Sequence, residues 1–481
     1  MSRKVLFIQP PLTLEERYGK LAEGGSSAPP LGIAQVAAVI RESRDYDVGL
    51  LDAAALNLTI EETLGRIRSF NPDIIGITAV TPSIYKASLL AKAIRKENPE
   101  GPIIIGGPHV TAVPEETLRM YPEFDFGVVG EGEDTILELL SAMRGERKLQ
   151  DVKGILFREE DGRVRMTPRR PFITDMDRLP FPAWDLLPDL DTYYRPPIFS
   201  VKKLPSTSLV TTRGCPGKCT FCDTSVFGQR VRGFSPEYVM SMITKLHDEY
   251  GIRDILFDDD CAPLLKSRFE RILDMLAGSG LDLSWSCNAR INNVTPELLK
   301  KMKRAGCWQI AYGIESGSQK ILDFYKKGIT VRQIEDALEW TKDAGIMTKG
   351  FFMIGNPLET IETMEETIRF ARRVRLDDFQ VTSFTPLPGS GVYPVAAQYG
   401  SFDNDYRKMN LWNIVFVPNG LTKDDIERYS KKAFRQFYFR PSVVLSYMRR
   451  IYSWRHFTEL MKGFKSLLKF LSSKGGTDGS A

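Results

Sequence analysis

Short apolar runs alternate with amphipathic segments over the first part of the chain. Runs typical of buried strands occur at residues 5–8, 48–51, 74–78, 103–105 and 126–129. Segments with helical periodicity separate them, at residues 30–41, 60–69, 85–96 and 135–143. This alternation predicts an α/β domain at residues 1–145, built on a doubly wound, Rossmann-like parallel sheet. Ligands of such sheets bind beyond the carboxyl ends of the strands.

Residues 146–204 are predicted to form a linker. Two short runs with alternating polarity, 154–157 and 163–166, flank an acidic turn that ends in Gly162 and predict a β-hairpin. The segment 177–185 contains Pro180 and Pro182. Because proline breaks helices and cannot donate to a central strand, this segment is predicted to be an extended connector.

A second series of β/α-like units follows at residues 205–400. Strand-like runs are found at 255–257, 284–288, 309–314, 350–354 and 379–384, and each is followed by polar residues or by glycine and proline. Repeating units of this kind curl into a barrel or partial barrel, with the chemistry at the carboxyl ends of the strands. We therefore expect a six-unit partial barrel with its site in those loops.

Composition changes this picture little. Hydrophobic residues make up 42% of the chain and charged residues 26%, which is ordinary for a soluble globular protein. No apolar stretch approaches the roughly 18–20 residues of a membrane span, and the sequence suggests no signal peptide, so a cytoplasmic protein is expected. The net charge of +4 is unevenly spread, because residues 428–474 carry +11 and the remainder −7.

The last region, residues 401–481, is predicted to be helical and basic. Seven apolar residues share one face of a helix: Phe457, Leu460, Met461, Phe464, Leu467, Leu468 and Leu471. Basic amphipathic helices with aromatic residues are typical of membrane interfaces, which would make the protein peripheral at a membrane surface. A helical cap on the barrel explains the pattern equally well. Nucleic-acid binding is not expected, because no binding module accompanies the basic charge.

Three thiols with the spacing C-x3-C-x2-C stand out as candidate metal ligands. Cys215, Cys219 and Cys222 lie in a loop rich in glycine and proline. Thiolates select zinc or iron–sulfur clusters, and a structural zinc site normally has four protein ligands. The next cysteine is Cys261, far along the chain. Three thiolates on a [4Fe–4S] cluster would leave one iron open, whereas a zinc knuckle or three unrelated core thiols are the alternatives.

This spacing, with the aromatic Phe221 before the third cysteine, resembles the signature of the radical S-adenosylmethionine enzymes. In that family the open iron binds the methionine moiety of S-adenosylmethionine, and electron transfer from the cluster yields a 5′-deoxyadenosyl radical. The resemblance implies that Asp258 and Asp259 contact the methionine amino group. It also implies that Glu315 holds the ribose or the amino acid part of S-adenosylmethionine. The backbone at Gly355 would run alongside the adenine.

Two further interpretations of the barrel loops come from residue chemistry. Arg290 is a candidate for pairing a carboxylate, since a guanidinium makes bidentate contacts. The carboxylates Asp258, Asp259 and Asp260 could instead hold a divalent metal through hard oxygen ligands.

The loops of the first domain resemble the cobalamin-binding domain that is fused to many radical S-adenosylmethionine enzymes. Its landmarks match at Thr78, Thr81, Ser83, Gly106, Gly107, Gly130, Glu131 and Gly132. The D-x-H-x-x-G segment that would supply a lower cobalt ligand is absent, so cobalamin without a lower histidine is implied. We interpret His109 as a loop residue that contacts backbone or the corrin edge. A vestigial sheet without a ligand is the alternative.

These resemblances point to the branch that contains methyltransferases and anaerobic magnesium-protoporphyrin cyclases. They imply methylation of an unactivated carbon in a hydrophobic biosynthetic intermediate. A tetrapyrrole such as a bacteriochlorophyll precursor, or an isoprenoid lipid, would fit. Oxidative ring closure is the alternative within the branch, and a non-catalytic iron–sulfur or corrinoid sensor or carrier is the alternative outside it. An external one-electron reductant such as flavodoxin or ferredoxin is the implied partner.

Overall fold

A computed structural model describes residues 3–194, 201–448 and 454–472 of the chain. The first domain contains a seven-stranded sheet in the order β2-β1-β3-β4-β5-β6-β7. Its strands are β1 (Arg3–Gln9), β2 (Tyr46–Asp52), β3 (Ile74–Thr78), β4 (Ile103–Gly106), β5 (Phe126–Val128), β6 (Ile155–Arg158) and β7 (Val164–Met166). Its helices are α1 (Leu14–Tyr18), α2 (Leu31–Glu42), α3 (Ile60–Phe70), α4 (Ile84–Glu97), α5 (Pro108–Ala112), α6 (Pro114–Met120) and α7 (Glu133–Met143).

The strands of this sheet are buried on both faces. In β1, Val5 and Phe7 pack with α2 and α7, whereas Leu6 and Ile8 pack with α3 and α4. Successive side chains of a strand point to opposite faces, so a continuous apolar run requires helices on both sides. The first five strands are parallel, which confirms the doubly wound sheet.

The predicted hairpin and connector join the first domain to the barrel. Strand β6 pairs antiparallel with β5, so the hairpin extends the first sheet. In the connector, the Ala183 N–H donates to the Ala34 carbonyl at 3.1 Å, and the Trp184 side chain is buried in the barrel core. The connector therefore contacts both domains.

The second domain is built on six parallel strands in the order β15-β14-β13-β12-β11-β8. Its strands, with a short antiparallel pair, are β8 (Ser206–Leu209), β9 (Thr212–Arg213), β10 (Arg232–Gly233), β11 (Asp254–Phe257), β12 (Ser284–Ala289), β13 (Cys307–Glu315), β14 (Met347–Ile354) and β15 (Asp378–Ser383). Its helices are α8 (Pro236–Glu249), α9 (Lys266–Gly278), α10 (Pro296–Arg304), α11 (Gln319–Phe324), α12 (Val331–Asp343) and α13 (Ile361–Arg373). This is the predicted partial barrel.

The C-terminal region adds a small hairpin and three helices. These are β16 (Gly400–Phe402), β17 (Phe416–Pro418), α14 (Lys423–Tyr438), α15 (Pro441–Met448) and α16 (Trp454–Ser472). Along α16, Leu467, Phe470 and Leu471 pack against the barrel core, as a helical cap would. On another face of the same helix, Met461 and Phe464 remain exposed. Among the described residues, no helix is long and apolar enough to span a membrane.

Candidate functional site

A cavity of about 1010 Å³ lies where the carboxyl ends of the two parallel sheets face each other. Its lining includes fifteen of the residues predicted from sequence: Thr78, Thr81, Gly106, Gly107, Gly130, Glu131, Gly132, Cys215, Cys219, Phe221, Cys222, Asp258, Asp259, Arg290 and Glu315. Ser83, His109 and Gly355 lie outside the lining. The structure therefore brings the cysteine loop and the loops of the first domain to one shared space.

The cysteine loop leaves the barrel between β9 and β10. Gly214 adopts φ +92°, and a Cβ there would lie 2.5 Å from the Arg230 carbonyl oxygen, so only glycine fits this close approach. The thiols that follow, Cys215, Cys219 and Cys222, are all free and all line the cavity. The loop thus presents three soft ligands to one space.

Local charges favour the thiolate form of Cys219. Its pKa falls to about 5, because the Cys222 thiol hydrogen-bonds to it and the cations of Lys327 and Arg290 lie close by. The Arg290 Nη1 donates to the Cys219 sulfur at 3.4 Å. The same hydrogen bond raises the pKa of Cys222. Because metals bind thiolates, a thiolate at Cys219 with two further sulfurs at the same cavity wall fits an iron–sulfur cluster.

The two predicted aspartates have different surroundings. Asp259 is buried and accepts hydrogen bonds from the Thr211 N–H at 2.5 Å, the Thr211 hydroxyl at 2.6 Å and the Thr212 N–H at 2.9 Å. It therefore ties the start of the cysteine loop to the end of β11. The Asp258 side chain is accessible from the cavity. Its pKa is raised because the surrounding protein removes water from the carboxylate and because Asp259 lies beside it. Because Asp259 is committed to the threonines, the divalent-metal alternative gains no support.

Glu315 forms a buried ion pair that the sequence did not reveal. The Lys327 Nζ donates to its Oε1 at 2.6 Å and lies 5.4 Å from the centre of the Phe221 ring. Glu315 has φ +70°, a left-handed conformation that is strained for a residue with a side chain. No motif marks Lys327 as a site residue, because its position depends on the return of the chain after α11.

Gly355 shapes the loop after β14 from outside the cavity. Its N–H donates to the buried Glu359 carboxylate at 2.6 Å, and the Asn356 N–H donates to the same oxygen at 2.8 Å. Burial raises the pKa of Glu359 to about 7 despite these hydrogen bonds. Glu359 is therefore a further residue that organises this loop.

Glycines line the cavity floor on the first domain, among side chains such as Val80, Ile104 and Glu131. Gly107 has φ +100°, and a Cβ there would lie 2.7 Å from the Thr78 hydroxyl and 2.8 Å from the Ala79 carbonyl oxygen. Gly106, Gly130 and Gly132 also line this side. Glycines among these side chains let a broad, flat ligand approach the backbone closely, so the floor fits a corrin ring.

His109 is turned away from that floor. Its Nδ1 lies 3.1 Å from the Thr81 hydroxyl, and its ring meets the edge of Tyr406 with 4.8 Å between centres. Burial lowers its pKa to about 4, so it is neutral. The His109 N–H donates to the Ala79 carbonyl at 3.1 Å, so the residue contacts backbone. Its contact with a corrin edge, rather than cobalt ligation, stays a prediction.

A buried ion network joins the two domains beside the cavity. Arg213 donates to Glu131 at 2.8 Å and to Glu133 at 2.6 Å. Arg232 donates to both oxygens of Glu131 at 2.8 Å and to the Ile173 carbonyl at 2.7 Å. All four charged side chains are at most 8% exposed. Because Arg213 precedes the cysteine loop and Glu131 follows β5, the network holds the barrel in a fixed position relative to the first domain.

Comparison with known proteins identifies the class and then the family. A B12 binding domain model matches residues 20–140, and a Radical SAM superfamily model matches residues 209–371. An uncharacterized methyltransferase of Pyrococcus horikoshii is 38% identical, over 92% of this chain and 94% of its own. The chain is thus a B12-binding radical S-adenosylmethionine enzyme. Within that class it belongs to the family of radical S-adenosylmethionine methyltransferases.

Two further comparisons bear on branch and fold. The anaerobic magnesium-protoporphyrin IX monomethyl ester cyclase of Rubrivivax gelatinosus is 29% identical, over 92% of this chain and 78% of its own. The cobalamin-dependent S-adenosylmethionine radical enzyme OxsB matches with a TM-score of 0.74 at 18% identity, covering 97% of this chain and 72% of OxsB. The predicted fold and the predicted cofactors, a [4Fe–4S] cluster, S-adenosylmethionine and cobalamin, are confirmed.

Proposed function

We propose that this enzyme transfers a methyl group to an unactivated carbon of a hydrophobic biosynthetic intermediate. The observation that carries the proposal is the shared cavity, which is bounded by the cysteine loop on one side and by the glycine floor on the other. When bound there, the cluster with S-adenosylmethionine would supply a radical and cobalamin would supply a methyl group. A substrate carbon between the two walls would be within reach of both.

The roles of individual residues are part of this proposal. Cys215, Cys219 and Cys222 would hold the cluster. Asp258, the carboxylate exposed to the cavity, would contact the amino group of S-adenosylmethionine. Glu315 is another carboxylate at the mouth of the barrel, and its ion pair with Lys327 would hold it in place for the ribose or amino acid part.

The apolar part of the cavity lining favours a substrate with a large apolar surface. Three cations line it, Arg213, Arg290 and Lys327, and each has a hydrogen-bond partner within the protein. Phe351, Leu387 and other apolar side chains complete the wall on the barrel side. A tetrapyrrole such as a bacteriochlorophyll precursor would fit this lining, and so would an isoprenoid lipid.

Ring closure is the second candidate function, because the Rubrivivax relative is named as a tetrapyrrole cyclase. S-Adenosylmethionine with a deuterated methyl group distinguishes the two in anaerobic turnover with candidate tetrapyrroles and isoprenoids. We expect 5′-deoxyadenosine, S-adenosylhomocysteine and a product that carries the label. Formation of 5′-deoxyadenosine with an unlabelled, cyclised product would overturn methylation, and absence of any 5′-deoxyadenosine would indicate a sensor or carrier.

We further propose that the enzyme is cytoplasmic, takes electrons from a flavodoxin or ferredoxin, and contacts membrane through a C-terminal apolar stripe. The stripe consists of Phe439, Met461, Phe464 and Leu468, all more than 40% exposed. The Phe439 and Phe464 rings lie 6.4 Å apart, so the stripe continues from the residue after α14 to α16. Lysines at positions 465 and 469 flank it on α16. Exposed apolar residues beside lysines suit an anionic lipid surface.

Phe464→Glu is expected to weaken binding to vesicles containing phosphatidylglycerol about tenfold or more, because it replaces an exposed aromatic side chain that would insert into the lipid with a charge that anionic lipid repels. Co-sedimentation with vesicles measures the effect. The matched control is Trp340→Glu, since Trp340 is 39% exposed on a different helix. Equal loss in both variants, or no vesicle binding by the unaltered enzyme, would rule out the stripe.

A further inference from the structure

Arg290 lies against a predicted cluster ligand without a carboxylate partner of its own. Its Nη1 donates to the Cys219 sulfur at 3.4 Å, and its Nη2 donates to the Lys327 carbonyl at 2.6 Å. Its side-chain partners among the described residues are thus a thiol sulfur and a backbone carbonyl.

Lys327 makes a useful contrast, because it is also a cation beside the thiols. Its Nζ is paired with the Glu315 carboxylate at 2.6 Å, so this carboxylate neutralises most of the lysine charge. The guanidinium of Arg290 has no such partner among the described residues. An uncompensated, half-buried cation needs an anion close by, and the cluster thiolates are the nearest groups that can supply one.

The cysteine loop leaves room for this guanidinium. A Cβ on Gly217 would lie 2.7 Å from the Arg290 Nη1 and 3.3 Å from the Cys215 sulfur. Any side chain at position 217 would therefore push the guanidinium away from the sulfurs. The small residue and the long cation fit each other in the loop that carries the ligands.

We propose that Arg290 raises the reduction potential of the cluster by stabilising its reduced, more negative state. The inference rests on the proposed function, since it requires a [4Fe–4S] cluster on the three thiols. Reduction adds one electron from an external donor and takes the cluster from its 2+ to its 1+ state. Potentials of such clusters depend on net charge and on hydrogen bonds to the sulfurs, and Arg290 contributes both.

The test is a redox titration with dithionite, monitored by electron paramagnetic resonance, on reconstituted enzyme before and after S-adenosylmethionine is added. Arg290→Gln is expected to lower the equilibrium constant for reduction about tenfold without S-adenosylmethionine, which is about 59 mV for a one-electron couple. Lys320→Gln is the matched control, because Lys320 is exposed on α11. Its potential is expected to equal that of the unaltered enzyme.

A second variant keeps the inference testable if Arg290→Gln fails to retain iron. Gly217→Ala leaves the arginine in place but displaces its guanidinium. The reduction potential of the cluster in this variant is therefore expected to fall as well. Equal potentials in the variants and the unaltered enzyme would overturn the inference. A difference that appears only with S-adenosylmethionine would overturn it too, by showing that Arg290 serves the carboxylate of that molecule. If the unaltered enzyme holds no cluster, the proposed function itself fails.

Discussion

Replacing Cys219 with alanine is expected to remove the iron from the reconstituted protein and to leave its cobalt in place. The pKa of the Cys219 thiol is lowered to about 5, and its sulfur accepts a hydrogen bond from Arg290. A cluster held by two thiolates would be lost, so formation of 5′-deoxyadenosine is expected to fall below detection. The cobalamin floor lies on the other domain and should be unaffected.

The control for this experiment is Cys307→Ala. Cys307 is a buried thiol in β13 and is not part of the cavity lining. It is expected to keep its iron and its turnover, with at most a loss of stability from the missing sulfur. Metal analysis of the two variants measures the difference directly. Retention of iron and turnover in Cys219→Ala would contradict the assignment of the cluster loop.

Glu131→Gln is expected to lower the free energy of unfolding by about 3–5 kcal/mol, because it leaves the buried guanidinium of Arg232 without a carboxylate. The four charges of the network balance, and the change leaves a net positive charge among buried side chains between the domains. The two domains are held together there, so proteolysis within the linker should also become faster.

Asp134→Asn is the matched control, since Asp134 pairs with Arg178 on the connector at 2.6 Å while both side chains are at least 30% exposed. Exposed pairs of this kind contribute about 0–1 kcal/mol. Unfolding of the protein without cofactors in denaturant gives both values. The double variant Glu131→Gln/Arg232→Gln restores neutrality and should recover part of the loss. Equal effects of Glu131→Gln and Asp134→Asn would show that the network does not hold the domains.

Much of the fold was predictable because its local signals agree with its tertiary structure. The apolar runs at 74–78 and 103–105 are strands buried on both faces. Such strands can be recognised from their own sequence, without knowing which strands pair with them. Strand β8 was not among the predicted strands, since its sequence Ser-Thr-Ser-Leu is polar although all four residues are buried. Helices α5 and α6 are short and begin at prolines, so no periodic pattern marks them.

The site was predictable where one loop carries the chemistry and unpredictable where distant segments meet. The three thiols lie within eight residues, and their spacing together with Phe221 carries the resemblance that implies a cluster. The contacts of Glu131 with Arg213 and Arg232 span 82 and 101 positions, so no sequence pattern reveals them. The orientation of Asp259 toward Thr211 likewise depends on the pairing of β11 with β8.

The central claim, that one cavity serves an iron–sulfur cluster and a cobalamin together, is tested most directly by metal analysis. The unaltered protein would be reconstituted anaerobically with iron, sulfide and cobalamin, desalted, and measured for iron, cobalt and visible absorption. We expect about four irons and one cobalt per chain, with the absorption of both groups. Zinc in place of iron, or iron without cobalt, would contradict the account.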